Sequence, residues 1–378
     1  MAAQSVDVAV VGGGIVGLAF AWTAARDGRS VVVFERDPQA RGASIRNFGM
    51  IWPIGQAAGR AHRLALRGRK LWREAARQSG FWLNECGSIL LAHRDDELRV
   101  LDEFARLASS NGYECRRLQP DEVLDLAPAV NPNALRGGLW SPTEMCVDPR
   151  EVLGRLSRWL TETFDVVMQF GTPVVRIDDR TLETSRGTRW EAERIVVASG
   201  SDLRTLFPEI LERSSLVLCK LQMLRTRPQP DGWRAGPLLA SGLSLRHYES
   251  FAVCPSLAAL RQRVTERTPE LDQWGIHVLA AQNARGEVLL GDSHEYGEVV
   301  DPFLRRDVER LILTSLRTVI QLPDWEIAER WYGVYARHPT AMCLEVDARH
   351  GVKIVTGLGG AGMTLSFGLA EDVWRTWT

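Results

Sequence analysis

VDVAVVGGGIVGLAFAWTAARDG, residues 6–28, decides how the rest of the chain is read. Val6 to Val11 form a largely apolar run without strict alternation, the pattern of a parallel strand covered on both faces. Gly12, Gly14 and Gly17 then spell G-x-G-x-x-G. The first allows a tight turn, the second lets backbone approach a pyrophosphate, and the third packs helix closely on strand. Ile15 to Arg26 read as the following helix, with Ile15 and Val16 in the first turn facing the phosphates and Gly28 as its C′ stop. SVVVFER (30–36) is a second apolar strand, and its terminal Glu35 lies 18 residues beyond Gly17, where a carboxylate can hold ribose hydroxyls next to Arg36. An acid rather than a base at that strand end disfavours a 2′-phosphate. The unit reads as a dinucleotide site, and the motif alone does not separate NAD from FAD.

The surrounding composition narrows the class. A chain of 378 residues is long enough for two domains and a large core, and 45% hydrophobic with 25% charged residues is ordinary for a globular protein. A formal net charge of -1 gives no global field for nucleic acid or an anionic membrane surface. Lys70, Lys220 and Lys353 are the only lysines among 46 basic residues, so each is worth attention. The six cysteines form no CxxC pair and have no histidine at metal-ligand spacing, which reads as buried thiols in a reducing compartment with no metal centre. The opening MAAQSVDVAVVGGG enters a strand almost at once and lacks a leader pattern, so a cytoplasmic protein without obligate membrane association is expected.

Two later segments bear on the cofactor. RIVVASGSD (194–202) is a short apolar strand ending in Ala-Ser-Gly, and GVKIVTGLGGAGMTLSFGLAEDV (351–373) is another, followed by a glycine cluster and a helix. Gly357, Gly359, Gly360 and Gly362 would let backbone lie close to a flat ring, and a helix from Thr364 onward would aim its positive end at that ring. A glycine-rich hairpin serving only the turn is the alternative. Together with the N-terminal unit, these segments resemble the D-amino acid oxidase/glycine oxidase/sarcosine oxidase family of FAD-dependent amine oxidoreductases. The resemblance extends to CVDPREVLGRL (146–156), TPVVRI (172–177), GDSHE (291–295) and WYGVYARHP (331–339), and so covers nearly the whole chain.

That resemblance implies an α/β fold, α+β overall: a Rossmann-type FAD-binding domain from residues 1–85, 145–215 and 330–378, with an inserted mixed-sheet substrate domain from 86–144 and 216–329. It implies FAD contacts from Ala198, Ser199 and Gly200, from Val174 and Val175 beside the adenine, and from Gly359, Gly360, Ala361, Gly362, Met363 and Thr364 beside the flavin. In GASIRNFGMIWPIGQ (42–56) it sets Ser44 against the phosphates and runs Asn47, Phe48, Gly49 and Met50 alongside the isoalloxazine. Arg46 stands where some relatives carry the histidine that bonds covalently to flavin, so non-covalent FAD is expected, and Cys343 reads as an inert buried thiol. Arg46 is then free for the FAD pyrophosphate or a substrate anion, unless a salt bridge with the neighbouring domain claims it.

Relatives that oxidise amino acids usually read W-x-G-x-R-P, with that arginine on the substrate carboxylate. Here Tyr335 takes its place, and Arg337 follows two residues later on the same strand face. With SIRNFGMIWPIGQ, CKLQMLR and SLRHYESF, this altered motif resembles a subgroup linked to aminophosphonate breakdown. The implied substrate is a small anionic amine, a 2-aminoethylphosphonate or its N-alkyl derivative, oxidised to phosphonoacetaldehyde, free amine and hydrogen peroxide, with dioxygen or another acceptor taking the electrons. Arg46, Arg337, Tyr335, His247, Tyr248 and Arg246 are the expected phosphonate donors, and no obligatory acid or base is evident. An ordinary amino or imino acid such as glycine or sarcosine, a dehydrogenase serving a quinone or protein acceptor, and a non-catalytic flavin-binding protein are the rival readings.

Three further features complete the sequence. Residues 57–82 read as a long helix with Arg60, Arg63, Arg67 and Lys70 on one face, either solvated or steering an anionic substrate. Residues 215–225 read as a strand with Lys220 and Gln222 on one side; Lys220 either snorkels to solvent or projects into the active-site cavity. His294 reads as a satisfied interdomain histidine rather than a catalyst.

Overall fold

The computed structural model describes residues 4–377, so the opening Met-Ala-Ala of the leader reading lies outside the described residues. The elements that build the site are, in chain order, β1 (Gln4–Val11), α1 (Ile15–Arg26), β2 (Val31–Phe34), α2 (Arg60–Ser79), β3 (Val167–Gln169), β4 (Val174–Asp178), β5 (Arg189–Val197), β6 (Val217–Pro228), β7 (Leu279–Gln282), β8 (Glu287–Gly291), β9 (Ile327–Arg337), β10 (Val352–Thr356) and α3 (Gly362–Thr376). Helix α1 has the bounds read from the sequence, and α2 starts at Arg60 because Gly59 turns the chain at φ 92°.

β1 is the centre of an eight-stranded sheet, parallel to β2 on one side and β5 on the other, with Val10 opposite Val33 and Val196. β10 runs parallel to the C-terminal half of β5, and β3 extends the sheet beyond β2. On one face α1, α2 and α3 bury a common core, in which Phe367 meets Trp22 and Trp72 edge-on at 5.2 and 4.7 Å. α3 lies between the other two helices and touches α2 through glycine: a Cβ on Gly368 of α3 would sit 2.1 Å from the Leu64 carbonyl of α2. The other face is covered around Phe34, Trp190 and Ile195.

The basic face of α2 is solvent-exposed at Arg60, Arg63, Arg67 and Lys70, as the solvated reading expects. Arg60 pairs with Glu345 (2.9 Å) and Asp372, and Arg67 pairs with Glu371, so part of the stripe is an ion-paired seam against α3.

A second, nine-stranded mixed sheet holds β6 to β9. β9 is antiparallel to β6 along its length, from Val217–Arg337 to Thr226–Ile327, while β8 takes the other edge of β6. The boundary expected at residue 330 therefore falls inside a strand of the second sheet, because the hydrogen bonds of β9 are spent on β6. Among the described residues all six cysteines are free, and no helix is long and apolar enough to cross a membrane.

Candidate active site

The sharp turn after β1 makes one end of the site. Gly12 sits at φ 111°, and a Cβ there would lie 2.3 Å from the Ala198 carbonyl at the end of β5. A Cβ on Gly17 would lie 1.8 Å from the Gly12 carbonyl, so only glycine lets α1 pack this near. No side chain caps α1 at Gly14; instead the Ile15 N–H donates to Ser44 Oγ (3.0 Å) and the Gly13 N–H to Glu35 Oε2 (2.8 Å). A helix N-terminus framed by glycines and small hydroxyl or carboxylate acceptors is suited to a pyrophosphate and a ribose. Backbone bonds from Gly171 to Asp37 and from Thr172 to Glu35, both 2.9 Å, bring the start of β4 beside the end of β2. Val174 is buried and Val175 exposed, while Arg36 is held in an ion pair with Asp202 of the Ala198–Asp202 turn. Thr356 Oγ1 donates to the Gly200 carbonyl (2.8 Å), tying that turn to β10.

From this end a cavity of about 680 Å³ opens between the two sheets. One wall is the stretch from Ser44 to Trp52. Asn47 spends its side chain on the turn, accepting from the Gly49 N–H (2.7 Å) and donating to the Ala43 and Ser44 carbonyls. Gly49 is at φ 74°, and a Cβ there would meet the Val147 carbonyl at 2.0 Å, so this segment lies flat against the fold. The facing wall is Gly357 to Thr364. Gly357 and Gly359 have positive φ, Gly359–Ala361 form a 3-10 turn, and α3 begins at Gly362, two residues before the start read from the sequence. Thr364 Oγ1 accepts the Trp52 N–H (2.9 Å) and joins the two walls. A flat slot edged by glycine backbone and a helix N-terminus fits a planar, electron-accepting ring.

The far end is aromatic and basic. Tyr335 and Arg337 of β9 face it together, as strand alternation requires. Tyr248 stacks on Trp52 (5.8 Å, 26°), and His247 lies 4.3 Å from His277 between ring centroids. His294 lies 5.4 Å from His277 and accompanies Asp292 and Tyr296 in the lining. Of the arginines lining the cavity, Arg46 and Arg337 have no carboxylate partner among the described residues, nor does the solvent-exposed Arg261. Arg46 donates to the Tyr332 carbonyl (3.4 Å), so the interdomain salt bridge does not form, and Arg337 donates to the Tyr296 hydroxyl (3.0 Å).

Two expected site residues are employed elsewhere. Lys220 is fully buried on the opposite side of β6 from Leu221 and Met223, which line the cavity. Its Nζ donates to the Phe303 carbonyl (2.6 Å) and lies 3.4 Å from Glu295, so it reaches neither solvent nor the cavity. The alternation of the strand puts it on the face opposite Leu221 and Met223. Arg246 lines the cavity but is paired with Asp272 and donates to the Leu243, Leu271 and Ile276 carbonyls, so four of its five N–H donors and its charge are already committed. Cys343 is buried, as expected, and its Sγ donates to Glu345 Oε1 (3.3 Å).

The buried histidines and tyrosines of this end are neutral near pH 7. Burial holds His247 and His277 well below the usual histidine range, Arg246 adding to the effect on His247, and it lowers His294 to about 4. Burial likewise holds the Tyr248 and Tyr335 phenols well above their usual value and pushes Tyr296 up to about 12. Asp292, His277 and Tyr296 escaped the sequence reading. GDSHE carried the signal for Asp292, an acid directly after a buried strand, whereas His277 stands alone with no pattern around it.

A family model described as DAO, FAD dependent oxidoreductase, matches residues 7–374. Human mitochondrial sarcosine dehydrogenase is 29% identical over 162 residues, 41% of this chain and 17% of its own length. Glycine oxidase of Geobacillus kaustophilus (strain HTA426) is 28% identical over 213 residues, 52% of this chain and 54% of its own. These sequence matches thus span about half or less of the relatives. The crystal structure of glycine oxidase from Geobacillus kaustophilus superposes with a TM-score of 0.78 at 20% identity, covering 99% of this chain and 94% of that one, a likeness of fold.

Proposed function

Because the chain belongs to the DAO family of FAD dependent oxidoreductases, we propose that it oxidises the C–N bond of a small amine bearing an anionic group. The finer reading is a 2-aminoethylphosphonate, N-alkylated for preference. Amine, water and dioxygen give phosphonoacetaldehyde, free amine and hydrogen peroxide, and another acceptor can stand in for dioxygen. FAD, when bound, supplies the two-electron acceptor. The observation that carries the reading is the pair Arg46 and Arg337, two guanidinium groups without acid partners in one cavity walled by neutral histidines and tyrosines. Unpaired cations in such a place are suited to a ligand anion, and a fork of donors matches phosphonate oxygens.

The roles follow from position. Gly12, Gly14, Ile15, Val16, Gly17 and Ser44 hold the pyrophosphate; Glu35 and Arg36 face the ribose, with Val174 and Val175 by the adenine and Ala198, Ser199 and Gly200 beneath the turn. Asn47 to Met50 and Gly359 to Thr364 flank the flavin, held without a covalent bond because an arginine cannot form one. Arg46 and Arg337 grip the anion, Tyr335, Tyr248 and His247 complete the wall as neutral donors, and the aromatic lining excludes water around the reacting C–H bond. The two sheets act as FAD-holding and substrate-holding units, and six free thiols accord with a cytoplasmic location. An ordinary amino or imino acid is the second reading, supported by the amine-oxidising relatives and by Arg337, whose single phenol partner leaves it able to take a carboxylate.

The test is anaerobic mixing of the FAD-loaded protein with N-methyl-2-aminoethylphosphonate, sarcosine and glycine in turn, following the visible flavin band. Bleaching by the phosphonate alone is expected. Bleaching by the amino acids alone would overturn the phosphonate reading, and bleaching by none would remove amine oxidation.

A further inference from the structure

We infer that Asp292 takes the proton from the substrate's ammonium group and so delivers the amine in the neutral form that oxidation requires. This rests on the amine reading of the cavity. Asp292 directly follows β8, is 4% exposed and lines the cavity. Its Oδ1 is sealed from solvent and has no hydrogen-bond partner among the described residues. A buried carboxyl oxygen without a donor is a standing cost to the fold, and a ligand N–H is the partner that would remove it.

The surroundings call for a cation. From β6 and β9, Cys219 and Tyr335 face Asp292, both held neutral by burial, the thiol at about 12. From the 3-10 segment Gly242–His247 and the residues after it, His247 and Tyr248 face the cavity and are also neutral, as is His277, whose backbone N–H donates to the Asp292 carbonyl (2.8 Å). His294 and Tyr296, on its own loop, are neutral too. Arg246 is committed to Asp272, while Glu249 and Arg261 are solvent-exposed members of the lining. What is left inside is one acid with no base, Asp292, and two bases with no acid, Arg46 and Arg337. A zwitterion with an ammonium at one end and an anion at the other satisfies both.

The proton step balances simply. The ammonium N–H bond breaks, the Asp292 O–H bond forms, and the electron pair stays on nitrogen; the proton passes to water once product has left. The step runs from the ionised form of the carboxyl; burial holds the group well above the usual carboxylate range, so that form is a stronger base than an ordinary carboxylate and its protonated product is the form the cavity favours. Inside a cavity shielded from water, a neutral acid and amine are also less costly than the two ions.

The experiment uses the FAD-loaded protein and its Asp292→Asn variant, titrated at pH 7 with 2-aminoethylphosphonate and with ethylphosphonate, which lacks the amine. Binding is read from the perturbed flavin spectrum. The variant should lose roughly 10-fold or more in affinity for the aminophosphonate and keep ethylphosphonate within about 2-fold. Its flavin reduction by N-methyl-2-aminoethylphosphonate should fall on the order of 100-fold at pH 7 and climb with pH as the free amine appears. No change with either ligand, or an equal loss of both with FAD retained, would overturn the inference. If the Asn variant cannot hold FAD, Asp292→Glu carries the same titrations: a change confined to the aminophosphonate supports the inference, and no change overturns it. Failure of every amine to reduce wild-type flavin would sink the amine-oxidation reading instead, since the ligand pair reports on Asp292 without turnover.

Discussion

Arg337 is the residue on which the proposed choice of an anionic substrate turns. Its guanidinium reaches the cavity with only the Tyr296 hydroxyl for company, so Arg337→Met removes charge without removing a structural partner. The variant should lose about 1.5–3 kcal/mol in phosphonate affinity, roughly 10- to 150-fold in Kd, with flavin content unchanged. Spectral titration with ethylphosphonate measures it. Burial predicts a pH effect of definite sign at His294. Its folded value near 4 lies below the ordinary 6.5, so within that window the unfolded chain binds the extra proton. The stability it confers is complete above about pH 6.5 and is lost as pH falls toward 4, on the order of 3 kcal/mol in all. His294→Gln should flatten the fall in unfolding free energy by about 1.4 kcal/mol per pH unit, while Asp292, held high, works in the opposite direction. Denaturant titrations between pH 4 and 7 would show no difference in slope if this is wrong. The glycines of the turn after β1 were legible in the sequence because each serves a backbone need that no other residue meets. Asp292 and His277 were not, because what marks them is enclosure by residues from five separate segments.

Among the elements, α1 was readable to its ends, since a glycine turn precedes it and Gly28 follows. The direction of Lys220 was not, because a period of two says which residues share a side but not which side faces the cavity. The seam between α2 and α3 separates two kinds of contact. Arg67–Glu371 is a surface ion pair, and Glu371→Gln should cost no more than about 1 kcal/mol, less at high salt. Gly368→Ala places a methyl where the Leu64 carbonyl stands, forces the helices apart and should cost about 1–3 kcal/mol at any salt. Thermal melts at low and high ionic strength distinguish them. A larger loss from the charge variant would reverse the ranking.

At the scale of the molecule, β1 finds its partners in β2, close in sequence, and in β5, which reaches in turn to β10 near the C-terminus. That long-range assembly was legible only through resemblance; local periodicity could not say which strands meet. The boundary at residue 330 was missed for the same reason, since strand pairing rather than composition assigns β9 to the second sheet. The buried Lys220 has a consequence of its own at this scale. It binds the carbonyl of Phe303, and Gln222 beside it exchanges bonds with the Arg305 backbone, while the side chains of Val299 and Phe303 are 77% and 74% exposed. Lys220→Met should therefore lower stability by about 1–3 kcal/mol, leaving Glu295 without its cation, whereas Phe303→Ser should stay within about 0.5 kcal/mol. Chemical denaturation of both variants checks the pair. A clamp that grips main chain is indifferent to spelling: the outer loop can drift through many sequences without loosening the strand behind it, and new surface chemistry can arise there at little risk to the cavity.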